Sequence, residues 1–364
     1  MWAMIVKEFR QVRRDRRTLA MMIVLPVLLL VVLGYAASFD VKTITVVASG
    51  PQASAVAGVL RAPFDVTRTA SDQGASWARD QLRDGKAEVA VVTGGARPQV
   101  LIDGSQLFSA KAALAALAGL QQRAAGQPGG IAFHPTVTVL YNPGLTTSDI
   151  MIPGLCGVVL VFVGTIITSL GVVRERQSGT LEQLAVMPLK PRDVFLGKIV
   201  PYFLVAAVDL AIVLGVGIAI FGVPFRGSPA TFGLGALLFL FVTLGVGVLI
   251  SSVSQNQGQA IQLAVMTLLP QVLLSGLIFP LTSIAAGVRW IAYFLPLTYF
   301  NEISRGVMLR AEPIAALWQP FVFLALLGVI VVTGATLRFR SYLAPSAREH
   351  RPRKAAVQAQ GAGA

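Results

Sequence analysis

Long uncharged, apolar runs recur along this chain and give its first reading. A helix needs about 20 mostly apolar residues to cross some 30 Å of hydrocarbon. Residues 18–39 form one such run, rich in Leu, Val and Met, and residues 150–173 form a second that stops at Arg174. A third covers residues 199–222 and is broken only by Asp209. From residue 227 to residue 288 there is no charge at all, a stretch too long for one helix. The polar string SQNQGQ at 254–259 turns the chain there, between a helix over 232–253 and another over 260–279. The last apolar run supplies a sixth span over 319–337.

Residues 40–149 differ in kind, with charges, Gly and Pro spread as in globular sequence. TITVVAS (43–49), FDVTRT (64–69), AEVAVVT (87–93), PQVLID (98–103) and HPTVTVLYNPG (134–144) read as strands. QASAVAGVLRA (52–62) and SWARDQLRDG (76–85) read as short helices, the second ended by Gly85. Residues 105–125 form a longer Ala/Leu-rich helix for which Ser105 is the expected cap. Alternation of this kind predicts a small mixed α/β domain. It contains no G-x-S-x-G and no His paired with a carboxylate at suggestive spacing, so no chemistry is assigned to it. The predicted fold class is an α-helical polytopic membrane protein, six transmembrane helices with an inserted extracytoplasmic mixed α/β domain.

Composition agrees: 55% of the 364 residues are hydrophobic and 13% charged, where a soluble domain carries about 25% charged residues. The formal charge of +13 would, in a soluble protein, point to nucleic acid. Its distribution excludes that. Residues 1–17 hold a net +4, residues 174–198 a net +2 and residues 338–364 a net +5, leaving little elsewhere. Lys and Arg concentrate on cytoplasmic flanks, so both termini are expected in the cytoplasm and the 40–149 domain outside it. The expected location is the cell (plasma or inner) membrane. The first run is longer than the 7–15 residues of a typical signal-peptide core, which favours a retained anchor. One cysteine, Cys156, excludes an intrachain disulfide, and His134 and His350 are too far apart in sequence to suggest a metal cluster. No metal site is expected.

At the N-terminus Trp2, Ile5, Val6, Phe9 and Val12 fall on one helical stripe beside Lys7, Arg10, Arg13, Arg14 and Arg17. Such a helix, over 1–17, lies in the headgroup plane with its bases on anionic lipid; a plain basic flank is the compatible simpler reading. Between the second and third spans, residues 174–198 read RERQSGTLEQLAVMPLKPRDVFLGK. Thr180 or Ser178 can cap a short helix there, Glu182 suits its positive first turn, and Pro188 stops it after about two turns. The spacing of Arg174, Glu175, Gly179, Thr180, Leu181, Glu182, Pro188, Leu189, Gly197 and Lys198 strongly resembles the cytoplasmic loop of permeases of the ATP-binding-cassette type-2 exporter family. The alternative is an ordinary solvated loop. The resemblance implies that 179–187 is a coupling helix docking on a cytosolic ATPase, with Glu175, Gly179, Thr180, Leu181, Glu182, Pro188 and Lys198 as its coupling residues. The N-terminal helix, the large insertion after the first span, and LPLTYFNEISRGVMLR at 295–310 resemble the same family, with Leu295 where Asn is usual.

Residues 280–318 are too short of apolar length to span and carry Pro296. A pair of short helices dipping partway from the outer face fits, with Glu302 and Arg305 spaced to pair; a surface loop is the alternative. The family resemblance makes this a re-entrant element shaping the exit, with Pro296, Tyr299, Glu302 and Arg305 as its candidate residues. Inside the spans Asp209 is the only strong charge, and contact with substrate or cation competes there with a helix–helix hydrogen bond. Gln255, Gln259, Gln262 and Met266 share one helical face. Gln259, Gln262 and Met266 join Asp209 as a possible substrate path, polar packing between helices being the other reading. The Gly pairs 215/217, 233/235 and 245/247 read as close helix packing.

No G-x-x-x-x-G-K-[ST] occurs: Gly85-Lys86 is followed by Ala and Gly197-Lys198 by Ile. The chain is therefore expected to bind no cofactor of its own and to be no enzyme, with ATP and Mg expected in a partner subunit. The expectation is the permease of an ATP-driven exporter of amphipathic, drug-like or lipid-like substrate, out of the cytoplasm or inner leaflet. Its partners are cytosolic ABC ATPase subunits, a second copy or a paralogous permease, and membrane lipids. A membrane-anchored scaffold or envelope assembly protein presenting the outer domain is the alternative, and an ion-coupled carrier is disfavoured by the single intramembrane acid.

Overall fold

A computed structural model describes residues 41–95, 97–125, 135–178 and 191–343. The expected interfacial helix (1–17), the first span (18–39), the coupling residues Gly179, Thr180, Leu181, Glu182 and Pro188, and most of the basic tail (338–364) lie outside the described residues.

A five-stranded sheet opens the described chain. Its strands are β1 (Ile44–Ser49), β2 (Phe64–Ala70), β3 (Val89–Val92), β4 (Gln99–Asp103) and β5 (Thr136–Leu140), in the order β2-β1-β3-β4-β5. β1 pairs in parallel with both β2 and β3, β3 with β4 is antiparallel, and β4 with β5 is parallel. Side chains alternate between faces with period two. Ile44, Val46, Val89, Val91, Val100 and Ile102 therefore face helix α3 (Leu107–Ala125) through Ala110, Ala113 and Leu117. Val47, Ala90 and Leu101 face α2 (Ala75–Arg83) through Ala78 and Leu82. The short α1 (Ala53–Val59) leads from β1 to β2.

Gly85, at φ +65°, ends α2 in the left-handed conformation that glycine takes without strain. Gly85 N–H donates to Leu82 O at 3.2 Å and Lys86 N–H to Gln81 O at 2.9 Å, the paired bonds of a Schellman stop. Ser105 does not cap α3, which starts at Leu107. Its backbone N–H donates instead to Asp103 Oδ1 at 2.8 Å, and its hydroxyl is engaged elsewhere.

The rest is helical: α4 (Thr147–Val161), a π turn (Phe162–Ile167), α5 (Thr168–Gln177), α6 (Pro191–Phe221), α7 (Pro229–Val253), α8 (Gln257–Leu274), α9 (Ala286–Ala292), α10 (Pro296–Arg310) and α11 (Trp318–Leu343). Among the described residues four helical stretches are long and apolar enough to cross a membrane: Thr147–Arg174, Val200–Phe221, Pro229–Val253 and Trp318–Arg338. The first and third are central; α6 and α11 are peripheral and turn apolar side chains such as Leu204, Ile212, Val329 and Ile330 outward. In a bilayer such outward apolar faces cost nothing.

Close approach at the centre depends on small residues. A Cβ on Gly247 of α7 would strike the Gly164 and Thr165 carbonyls, and one on Gly164 would strike Thr243. Of the other paired glycines, Gly217 abuts Ile152, Gly235 abuts Ile303 and Gly245 abuts Val331, while Gly215 and Gly233 meet no neighbour. The polar string at 254–259 is a helix boundary: Asn256 Oδ1 caps α8 by accepting from Gln259 N–H at 2.9 Å. α8 stops at Leu274, short of 279, because Gly276 takes a φ of +80° and turns the chain.

Candidate functional site

Helices α8 and α10 end and begin within the bundle. Leu277, just past α8, packs on Gly154 of α4; at 1.5 Å per residue that is about 10 Å along the helix from Thr147. At the start of α10, Leu297 and Phe300 pack on Gly157, and Phe300 stacks on Phe239 of α7 with centroids 4.6 Å apart. Both contacts lie roughly 15 Å from the sheet-side ends of their helices. Pro296 opens α10 at its first turn, where no amide donor is lost. The helix then climbs to the sheet, where Leu309 packs with Leu107 and Ile150.

Polar groups collect along the seam between α8, the π turn and α10. Asn301 Nδ2 donates to Ser275 Oγ at 3.0 Å and to Ser275 O at 3.3 Å. Arg305 Nη2 donates to Leu277 O at 3.2 Å; among the described residues no ion pair joins it to Glu302, which is exposed. The i, i+3 spacing alone does not bring the two together, because Arg305 turns toward the loop after α8. Tyr299 donates its hydroxyl to Tyr293 O at 2.7 Å and stacks on Phe323 of α11. Elsewhere on these helices, Gln262 Oε1 and Gln271 Oε1 of α8, Thr165 Oγ1 of the π turn and Thr168 Oγ1 of α5 are buried without a hydrogen-bond partner among the described residues. Met266 is half-buried on α8.

Gln259 acts locally, its Oε1 accepting from Gln255 N–H at 2.9 Å to close the turn into α8. Asp209 stands apart. It is half-buried on α6, which packs on α4 and the π turn, and has no hydrogen-bond or ionic partner among the described residues. Backbone alone is described for Glu175 and Lys198.

One cluster is not foreshadowed by any motif in the sequence. At the end of α10, Arg310 Nη2 pairs with Glu312 Oε2 at 2.7 Å, Nη1 lies 3.6 Å from Asp103 Oδ2 in β4, and Nη1 donates to Ser105 Oγ at 3.2 Å. All three charged side chains are under 5% exposed. Ala311 turns back at φ 53° and Glu312 N–H donates to Gly306 O at 3.0 Å, which aims Glu312 at Arg310. Burial lifts the Asp103 and Glu312 carboxyls above the usual carboxylate range, against the pull of Arg310. Burial alone would lower Arg310, but Glu312 and then Asp103 outweigh it and hold it above its ordinary value. The cluster bolts the sheet to the C-terminal end of α10.

Set beside known proteins, the profile of the ABC-2 family transporter protein matches residues 16–337, nearly the whole chain. The chain belongs to the ABC-2 transporter family. It is 30% identical over 343 residues to the probable multidrug ABC transporter permease YbhS of Escherichia coli, covering 85% of this chain and 88% of that one. It is 29% identical to the probable multidrug ABC transporter permease YbhR of Escherichia coli over 358 residues, 92% and 95% of the two chains. The inner membrane transport permease YhhJ of Escherichia coli is 34% identical over 177 residues, about half of each protein.

Proposed function

We propose that this chain is the transmembrane permease subunit of an ATP-driven ABC exporter for amphipathic, drug-like or lipid-like molecules, working with a second copy or a paralogue and with separate cytosolic ATPase subunits. The observation that carries this is the family match over residues 16–337, with permeases named in its full-length relatives. Six spans, both termini in the cytoplasm and the sheet outside the cytoplasm follow from the apolar runs and from where Lys and Arg fall. ATP and Mg are held by the ATPase, since this sequence has no phosphate-cradling loop.

In this reading the segment at 179–187 takes up closure of the ATPase and passes it to the helices on either side, α5 and α6. α4 and α5 are continuous through the π turn, so a push at Gln177 is delivered to the seam against α8 and α10. The sparse buried amides and hydroxyls without a partner among the described residues, at Gln262, Gln271, Thr165 and Thr168, suit a cargo that is mostly apolar with a few hydrogen-bonding groups. A tagged chain purified from native membranes is expected to bring a P-loop ATPase with it. Recovery without one, together with undiminished export by Glu182→Arg, would sink the proposal.

A further inference from the structure

Residues 222–317 carry six charged side chains, and five of them are accounted for. Arg226 is exposed in the loop before α7 and donates from Nη1 to Leu309 O at 3.3 Å. Arg289 donates to Thr282 O and Ile284 O at 3.0 Å from Nη2, and to Ile284 O at 3.2 Å from Nε. Arg310 and Glu312 pair with each other, and Glu302 is exposed. Arg305 is the sixth.

Arg305 is half-buried, and of its three guanidinium nitrogens only Nη2 has a partner among the described residues, donating to Leu277 O at 3.2 Å. Its Nε is buried with no partner. Among the described residues no carboxylate pairs with it, in contrast to Arg310, which has two. One neutral carbonyl compensates a full charge only in part. A carboxylate or a phosphate would bring the opposite charge and several acceptor oxygens to the same planar donor set.

The depth of Arg305 makes this shortfall matter. Its carbonyl partner belongs to Leu277, which packs on Gly154, seven residues or about 10 Å into the span that starts at Thr147. Along α10 it lies five residues, about 7–8 Å, before Arg310, which is bonded to the sheet. With the sheet outside the bilayer, that interval matches the headgroup layer of about 5–8 Å between water and hydrocarbon. Cations at the edge of hydrocarbon are costly and are retained where they find a partner. Lipid-like molecules carry their acidic groups at this level.

We infer that Arg305 is the contact for an acidic group, a phosphate or a carboxylate, on an amphiphile in the leaflet on the sheet side. The acid oxygens accept from Nε and the other open N–H groups, while the apolar chain lies along the helices. The inference rests on the chain spanning a membrane and, where the amphiphile is cargo, on the exporter reading. Binding is measured without ATP or ATPase, so its failure and the failure of that reading are told apart.

The test uses the full chain in the uncharged detergent dodecyl maltoside, titrated with a fluorescently labelled lysophosphatidic acid and followed by anisotropy. Saturable binding is expected, displaced by dodecyl phosphate and by laurate but not by inorganic phosphate or an uncharged monoacylglycerol. Arg305→Gln is expected to weaken it roughly 10- to 100-fold, the loss of one set of charge-assisted hydrogen bonds. Arg305→Lys keeps the charge without the planar donor set and is expected to fall in between. Arg226→Gln removes an exposed cation nearby and is expected to bind as wild type does. Displacement by phosphatidylglycerol assigns the acidic group to a bilayer lipid; displacement by the single-chain acids alone assigns it to cargo. No saturable binding, equal binding of a labelled monoacylglycerol, or undiminished binding by Arg305→Gln would overturn the inference. So would an equal loss in Arg226→Gln, which would reduce the effect to general surface charge. If Arg305→Gln fails to fold, Arg305→Lys and the uncharged competitor against wild type still decide.

Discussion

Arg310→Met is the substitution from which this structure predicts the largest cost for one side chain outside the apolar core. The guanidinium sits 4% exposed between Glu312, at 2.7 Å, and Asp103, at 3.6 Å, whose side chains are 3% and 1% exposed. Met fills similar volume, so packing loss is small, while two buried carboxylates lose their shared cation. Removing one partner of a buried pair costs about 3–5 kcal/mol. Ser105 Oγ loses a donor as well. The readout is hydrogen exchange of the β4 and β5 amides in detergent or nanodiscs, since β4 carries Asp103. At about 1.4 kcal/mol per tenfold, protection is expected to fall by roughly two to three and a half decades. Arg310→Met combined with Asp103→Leu and Glu312→Leu removes the charges together and is expected to recover most of the loss, as apolar replacement of whole buried ion clusters does. Protection within about threefold of wild type in the single variant would refute the reasoning, because it would mean that water reaches the cluster. So would a triple variant no better than the single one.

Other expectations follow from the same geometry. Gly247→Val puts a side chain against the Gly164 and Thr165 carbonyls and is expected to cost about 1–3 kcal/mol, read as a lowered melting temperature by fluorescence-detected size exclusion. Burial pushes Tyr141 up to about 12; a raised folded value favours the neutral phenol, so its stabilising contribution is complete below about pH 10 and is lost as pH rises through 12. The tyrosinate absorbance change that disappears in Tyr141→Phe measures this, and a midpoint near 10 would contradict it. Gln259→Ala breaks a turn-closing bond to Gln255 N–H and is expected to lower stability by about 1 kcal/mol. Gln262→Leu relieves a buried unpaired oxygen, and is expected to leave melting unchanged or raised while altering export; altered melting without altered export would assign Gln262 to packing.

Much of the local architecture was legible in the sequence because short-range chemistry fixes it. Gly85 stops α2 through its left-handed φ, and Asn256 caps α8, and both effects act within a few residues. The strands of the sheet were legible as apolar runs because helices cover both faces, so β1 reads as a nearly continuous ITVVAS. Hydropathy was a poorer guide to where helices end. The apolar run that continues past Leu274 hides the turn at Gly276, and Thr147, Ser148 and Asp149 extend α4 upstream because polar residues suit a helix N-terminus. The π turn at Phe162–Ile167 leaves no mark in the apolar pattern. The Arg310 cluster was invisible for a different reason: Ser105 and Arg310 are 205 positions apart, and nothing local to either announces the other. Ser105 read as a cap because only its neighbours were in view.

The central claim is that this chain moves cargo with energy taken from a separate ATPase through the 179–187 segment. The most direct measurement is accumulation of an amphipathic fluorescent cargo inside inside-out membrane vesicles containing the full complex, with ATP or without it. Wild-type vesicles are expected to accumulate the cargo only with ATP, and vesicles carrying Glu182→Arg, at equal amounts of permease, are expected to lose that accumulation. Uptake unaffected by ATP, or ATP-driven uptake undiminished by Glu182→Arg, would contradict the account.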